Sequence, residues 1–95
     1  MLRLFQGRLK DGGMSVSLYH ADYDGLRALL KDVRVNAGLT QVQMAQALGV
    51  GQSYVSKIER GENFVDVLLY IRWCQACGVL AGSTLDRLVG GDATA

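Results

Sequence analysis

Four glycines, Gly38, Gly49, Gly61 and Gly78, punctuate a chain that contains no proline. Each follows a segment with helical patterning. A helix ends at least cost on a residue in the left-handed region, and glycine reaches that region without a Cβ clash. Stops this close together, between positions 38 and 78, leave room only for short helices joined by tight turns.

The apolar residues between the stops define the faces. Leu26, Leu29, Leu30, Val33 and Ala37 recur at i, i+3, i+4, i+7 and i+11, which predicts a first helix from Asp22 or Tyr23 to Ala37. Asp22 or Asp24 suits its N-cap. Thr40 and Gln43 form a capping box that opens a second helix, with Met44, Ala45 and Leu48 turned inward. A third is expected over Gln52 to Arg60, with Val55 and Ile58 inward and Gly51 as a serviceable N-cap. A fourth, Val65 to Cys77, is apolar around more than one face and is expected in the centre. A fifth, short helix follows Ser83, where Ser83-Thr84-Leu85-Asp86 reads as a capping sequence before Leu88 and Val89.

The expected fold class is therefore all-α, a compact five-helix domain over residues 22–90. A flexible or weakly extended segment, 1–21, precedes it, and a tail, 91–95, follows. In the first segment Asp11-Gly12-Gly13 is a break, Met14 offers an alternative start, and Val16 and Leu18 alternate with serines as in a weak strand.

Composition bounds what such a domain can do. Ninety-five residues make one domain, and 49% hydrophobic with 20% charged residues excludes a disordered chain. The net charge of +1 gives no whole-chain argument for a polyanionic partner, so any such claim must rest on local placement. Two cysteines are too few for a disulfide scaffold and fit a reducing compartment. The longest uncharged apolar run, Val67 to Ile71, falls far short of the ~20 residues that span a bilayer. The N-terminus alternates charge and apolar residues too quickly for a signal peptide. The expected location is the cytoplasm, with no membrane partner.

The informative stretch is Gln41 to Arg60, two short helices joined by a tight turn at Gly49-Val50-Gly51. Ala45 is small where the second helix must approach the first. Met44, Leu48, Val50, Val55 and Ile58 are apolar where the pair faces the core. This is the helix-turn-helix pattern.

The chain resembles the phage repressor/Cro type of helix-turn-helix domain, the XRE family. The matching residues are Arg34, Ala37-Gly38-Leu39-Thr40-Gln41, Met44-Ala45, Leu48-Gly49-Val50 and Gln52-Ser53-Tyr54-Val55-Ser56-Lys57-Ile58-Glu59-Arg60-Gly61. Ala76-Cys77-Gly78-Val79 is a weaker match to the end of the family's fourth helix, and the resemblance covers about residues 23–89. It implies a DNA-binding domain. It pairs Arg34 with Glu59 as an internal ion pair, which assigns both to architecture. It places Gln52, Ser53 and Lys57 at base-reading positions and a backbone clamp at Gln41.

The chemistry of these residues fits that assignment. Gln52, Ser53, Ser56 and Lys57 are the outward polar residues of the third helix, near its N-terminal half. Glutamine can chelate adenine N6/N7, lysine can donate to guanine O6/N7, and serine is permissive. Gln41 opens the second helix, where free N–H groups attract phosphate, and Tyr54, Arg60 and Asn63 are further candidates. Lys57 and Arg60 are offset by Glu59 and Glu62, so the motif itself is formally neutral. Modest non-specific affinity and a shallow salt dependence follow as expectations.

Other chemistry is less well supported. Trp73-Cys74-Gln75-Ala76-Cys77 imitates a redox motif, but it closes an apolar helix, whereas a reactive thiol needs a helix opening at the first cysteine. Cys74, Cys77 and His20 supply at most three metal ligands, so neither metal nor cofactor is expected, and no enzyme motif is present. Tyr70, Trp73, Phe64 and Leu69 are many for a small core; they either pack that core or leave an edge of the fourth helix for a partner. The second reading gives a homodimer built on the fourth and fifth helices, which by symmetry implies a palindromic operator. The resulting expectation is a homodimeric transcriptional regulator, acting as a repressor on double-stranded DNA. The alternative is an antitoxin whose segment 1–21 wraps a toxin and which binds DNA for autoregulation.

Overall fold

A computed structural model describes residues 21–88. The described chain forms α1 (Ala21–Asn36), α2 (Gln41–Leu48), α3 (Gln52–Arg60), α4 (Val67–Cys77) and α5 (Ala81–Leu88). The expected strand at Val16 to Leu18, the proposed arm and the tail lie outside the described residues.

α1 buries Leu29, Leu30 and Val33, with Leu26 packed at the margin, while Ala37 lies past the helix end and is exposed. The α2 cap forms as its sequence predicts. Thr40 Oγ1 accepts from the Gln43 N–H at 3.1 Å, and Gln43 Oε1 accepts from the Thr40 N–H at 2.9 Å. Gly49, at φ 73°, closes the helix. α2 and α3 pack on each other, α3 also rests on α1, and α2 rests on α4.

Three expectations are corrected. α4 begins at Val67 rather than Val65, because the Asp66 carboxylate accepts the Leu69 N–H at 2.8 Å and makes Asp66 the N-cap. The Val65 N–H instead donates to the Tyr23 hydroxyl on α1. α5 begins at Ala81, not after Ser83: the Leu80 carbonyl already accepts the Thr84 N–H at 3.0 Å, and Thr84 is buried. Ser83 is thus an interior helical residue. Val50 is not in the core, being 36% exposed on a surface groove.

Trp73, Leu30, Met44, Ile58, Val55 and Cys74 form the fully buried centre. Trp73 fills the middle and satisfies its indole N–H on the Leu30 carbonyl at 3.0 Å, as a buried tryptophan requires. The Tyr70 hydroxyl donates to the Ala81 carbonyl at 2.5 Å and ties the start of α5 to α4. Tyr70 and Trp73 are therefore core residues. The other side of α4 is open, with Val67 72% and Leu68 64% exposed. Among the described residues, no helix is long and apolar enough to cross a membrane.

Candidate nucleic-acid interface

A polar ladder fixes α3 against the rest of the motif. Arg34 on α1 donates from Nε to Glu59 Oε2 at 2.6 Å and from Nη2 to Glu59 Oε1 at 3.0 Å. Its third arm, Nη1, donates to the Leu39 carbonyl at 2.8 Å. One guanidinium thus joins α1, the α1–α2 loop and α3. The two side chains are 9% and 4% exposed, so the pair is shielded from solvent and from salt. Among the described residues, no buried side-chain polar atom lacks a partner.

The ladder continues to the surface through two glutamines. Gln41 Nε2 donates to Glu59 Oε1 at 3.0 Å, and Gln52 Nε2 donates to Gln41 Oε1 at 2.8 Å. Gln52, the first residue of α3, is therefore oriented by the first residue of α2. Sequence reasoning placed Gln41 on phosphate and Gln52 on a base, but missed this bridge. Both glutamines open a helix, and that shared position is the signal that could have found it. Each amide keeps one N–H outside the bridge, because a carboxamide nitrogen carries two.

The face of α3 opposite the core is polar. At about 100° per residue, Gln52, Ser53, Ser56, Lys57 and Arg60 fall within an arc of about 140°. Gln52, Ser53, Lys57 and Arg60 are exposed and Ser56 is half-buried. Lys57 has no salt bridge to a described residue. Arg60 is held: Nε and Nη2 donate to the two carboxylate oxygens of Glu62 at 2.9 and 3.2 Å, and Nη1 donates to Ser56 Oγ. Tyr54 departs from this face. It lines a groove of about 300 Å³ with Leu48, Val50, Leu68, Leu69 and Arg72. Asn63 is half-buried in the loop after α3.

The cysteines stand behind the motif. Cys74 is fully buried, and Cys77 Sγ lies 3.9 Å from Met44 Sδ of α2. Both thiols are free, and burial pushes the Cys77 thiol above its ordinary range, away from the reactive thiolate. Among the described residues, no three His, Cys, Asp or Glu side chains stand close enough to hold a metal.

Comparisons with known proteins agree with this geometry. A helix-turn-helix domain family matches residues 26–88. An XRE-family like protein from Pseudomonas syringae pv. tomato str. DC3000 is similar at 38% identity and a TM-score of 0.69, over 73% of this chain and 84% of that one. The clp gene regulator ClgR from Corynebacterium glutamicum is similar at 30% identity and a TM-score of 0.67, over 78% and 79%. A second structure of that regulator is similar at 29% identity and a TM-score of 0.67, over 80% and 99%. No curated protein matches the chain. The buried Arg34–Glu59 pair, the two-helix motif and these matches agree: the chain belongs to the XRE-type helix-turn-helix family of DNA-binding regulators.

Proposed function

We propose that the chain acts in the cytoplasm as a homodimeric repressor, without enzymatic activity, placing α3 in the major groove of an inverted-repeat operator. The observation that carries this reading is the Gln52–Gln41–Glu59–Arg34 ladder, which presents the N-terminal end of α3 in one orientation. The N-terminal residues of the second motif helix are the ones that meet base edges in this docking mode. Gln52 reads adenine, Lys57 reads guanine, and Ser53 and Ser56 make permissive contacts. Gln41 holds a phosphate with its free amide proton and the open N–H groups of the first turn of α2. Tyr54, in the groove beside α3, and Asn63, in the loop after it, are further phosphate contacts.

The second copy docks on the open side of α4 and α5. Val67 on α4 and Leu85 on α5 are 72% and 40% exposed there. With Leu26, Val65, Asp66, Tyr70 and Leu88 they line a groove of about 190 Å³. Apolar exposure of this kind favours self-association, and a two-fold dimer demands a palindromic site. Selection of bound sequences from a random duplex pool at two salt concentrations tests the reading. An enriched inverted repeat supports it. Enrichment of a single half-site refutes the dimer, and no enrichment refutes sequence-specific binding.

A further inference from the structure

We propose that Glu62 limits this domain's affinity for the DNA backbone by clasping Arg60, the C-terminal cation of the reading face, away from phosphate. The inference rests on the DNA-binding reading of α3 and concerns what sets the strength of that binding.

The turn after α3 builds the clasp. Gly61 adopts φ 82°, a left-handed conformation that reverses the chain. Its N–H donates to the Ile58 carbonyl at 3.1 Å, and the Glu62 N–H donates to the Lys57 carbonyl at 2.8 Å. These bonds pin Glu62 beside the last turn of α3. Its carboxylate then meets the Arg60 guanidinium fork-to-fork at 2.9 and 3.2 Å, and Ser56 Oγ takes the remaining arm. Every arm of Arg60 is thereby engaged within α3 and its cap.

Placement makes this more than a surface ion pair. Arg60 lies inside the arc of Gln52, Ser53, Ser56 and Lys57, so a duplex on those residues passes the Arg60–Glu62 pair. Glu59, the other acid of the segment, is buried against Arg34 and spoken for. Among the described residues, Glu62 is therefore the one exposed acid of this segment, against the two cations Lys57 and Arg60. It acts on both. The Glu62 carboxyl is held below the usual carboxylate range, first by the hydrogen bond from Arg60, with the charge of Lys57 contributing. A phosphate and a carboxylate compete for the same planar fork. A phosphate must displace Glu62 to recruit Arg60, and must then sit close to a bare carboxylate.

The effect is modest, because both partners are about half exposed, at 55% and 52%. Releasing Arg60 adds a contact to phosphate and not to a base, so it strengthens binding to all sequences alike.

The experiment measures affinity for a random-sequence duplex and for a selected duplex across a salt series. The proteins are the full chain, Glu62→Gln, Arg60→Ala and the double variant. Glu62→Gln is expected to bind both duplexes about two- to fivefold more tightly at low salt. Its log–log salt slope is expected to steepen by about 0.9, the signature of one more neutralised phosphate. In the Arg60→Ala background the Glu62→Gln change is expected to add nothing to the slope. An unchanged slope in Glu62→Gln overturns the proposal, as does a gain that is undiminished without Arg60 or that favours one sequence. Absence of salt-dependent binding by the unaltered chain overturns the DNA reading itself, a separate outcome. Circular dichroism of each variant checks that α3 is intact.

Discussion

Gln52 donates to Gln41 at 2.8 Å, so the first residues of α3 and α2 are hydrogen-bonded across the turn that separates them. The bond is exposed, yet it ends a ladder whose far end is the buried Arg34–Glu59 pair. Gln41 thereby orients the Gln52 side chain, and in the proposed complex Gln52 meets a base while Gln41 faces the backbone. The two residues are expected to act as a unit on DNA. Gln41→Ala and Gln52→Ala should be non-additive in binding free energy, with a coupling of about 0.5–3 kcal/mol in a double-mutant cycle. Strict additivity would show that the bridge is lost in the complex.

The Arg34–Glu59 pair is predicted to be costly to break and cheap to replace. Arg34→Ala leaves Glu59 buried with Gln41 as its remaining donor, and should destabilise the fold by about 3–5 kcal/mol in urea unfolding. Replacing both partners with apolar residues, Arg34→Met with Glu59→Leu, removes the uncompensated charge and should recover most of that loss. Equal losses in the single and double variants would contradict this account.

The two glycines that close the motif helices are predicted to differ. Gly49 and Gly61 share the left-handed conformation, at φ 73° and 82°. Alanine at either position carries a backbone penalty of roughly 1–2 kcal/mol. Gly49 has open space around it, whereas a Cβ on Gly61 would lie 2.5 Å from Arg27 Cζ. Arg27 must swing away and release Asp24, its ion-pair partner. Gly61→Ala should therefore be the more damaging in thermal unfolding, and the difference should vanish in an Arg27→Ala background.

The caps of α4 and α5 show where the sequence was legible and where it was not. The box at Thr40 and Gln43 was readable because both partners are local and three residues apart. Asp66 has the same chemistry but was hidden, because Val65 and Val67 on either side extend the apolar pattern of α4. Ser83 misled in the opposite direction: it looks like a cap, but the turn at Gly78 delivers the chain to helical geometry at Ala81. Asp66→Ala should cost about 1 kcal/mol of stability, and Ser83→Ala should change it by less than about 0.5 kcal/mol. The reverse order would show that α5 starts later.

The same division runs through the interface. The polar face of α3 follows from its own period, so Gln52, Ser53, Ser56 and Lys57 could be placed on one side from spacing, while the family resemblance supplied their expected role on DNA. The Gln41–Gln52 bridge and the Glu62 clasp depend on how a turn redirects the chain, and no periodicity encodes that. Val50 was misassigned for a related reason. An apolar residue in a tight turn reads as core, but here the turn holds it at the rim, next to Tyr54 and Leu68.

The most direct test of the central claim is sequence selection from a random duplex pool with the unaltered chain and with Lys57→Ala, side by side. The account predicts that the unaltered chain enriches an inverted repeat. It predicts that Lys57→Ala keeps the repeat but loses the preference at one position of each half-site, a change of about 1–3 kcal/mol there. An identical preference at every position would contradict the assignment of Lys57 as a base contact, and no enrichment by the unaltered chain would contradict sequence reading by α3.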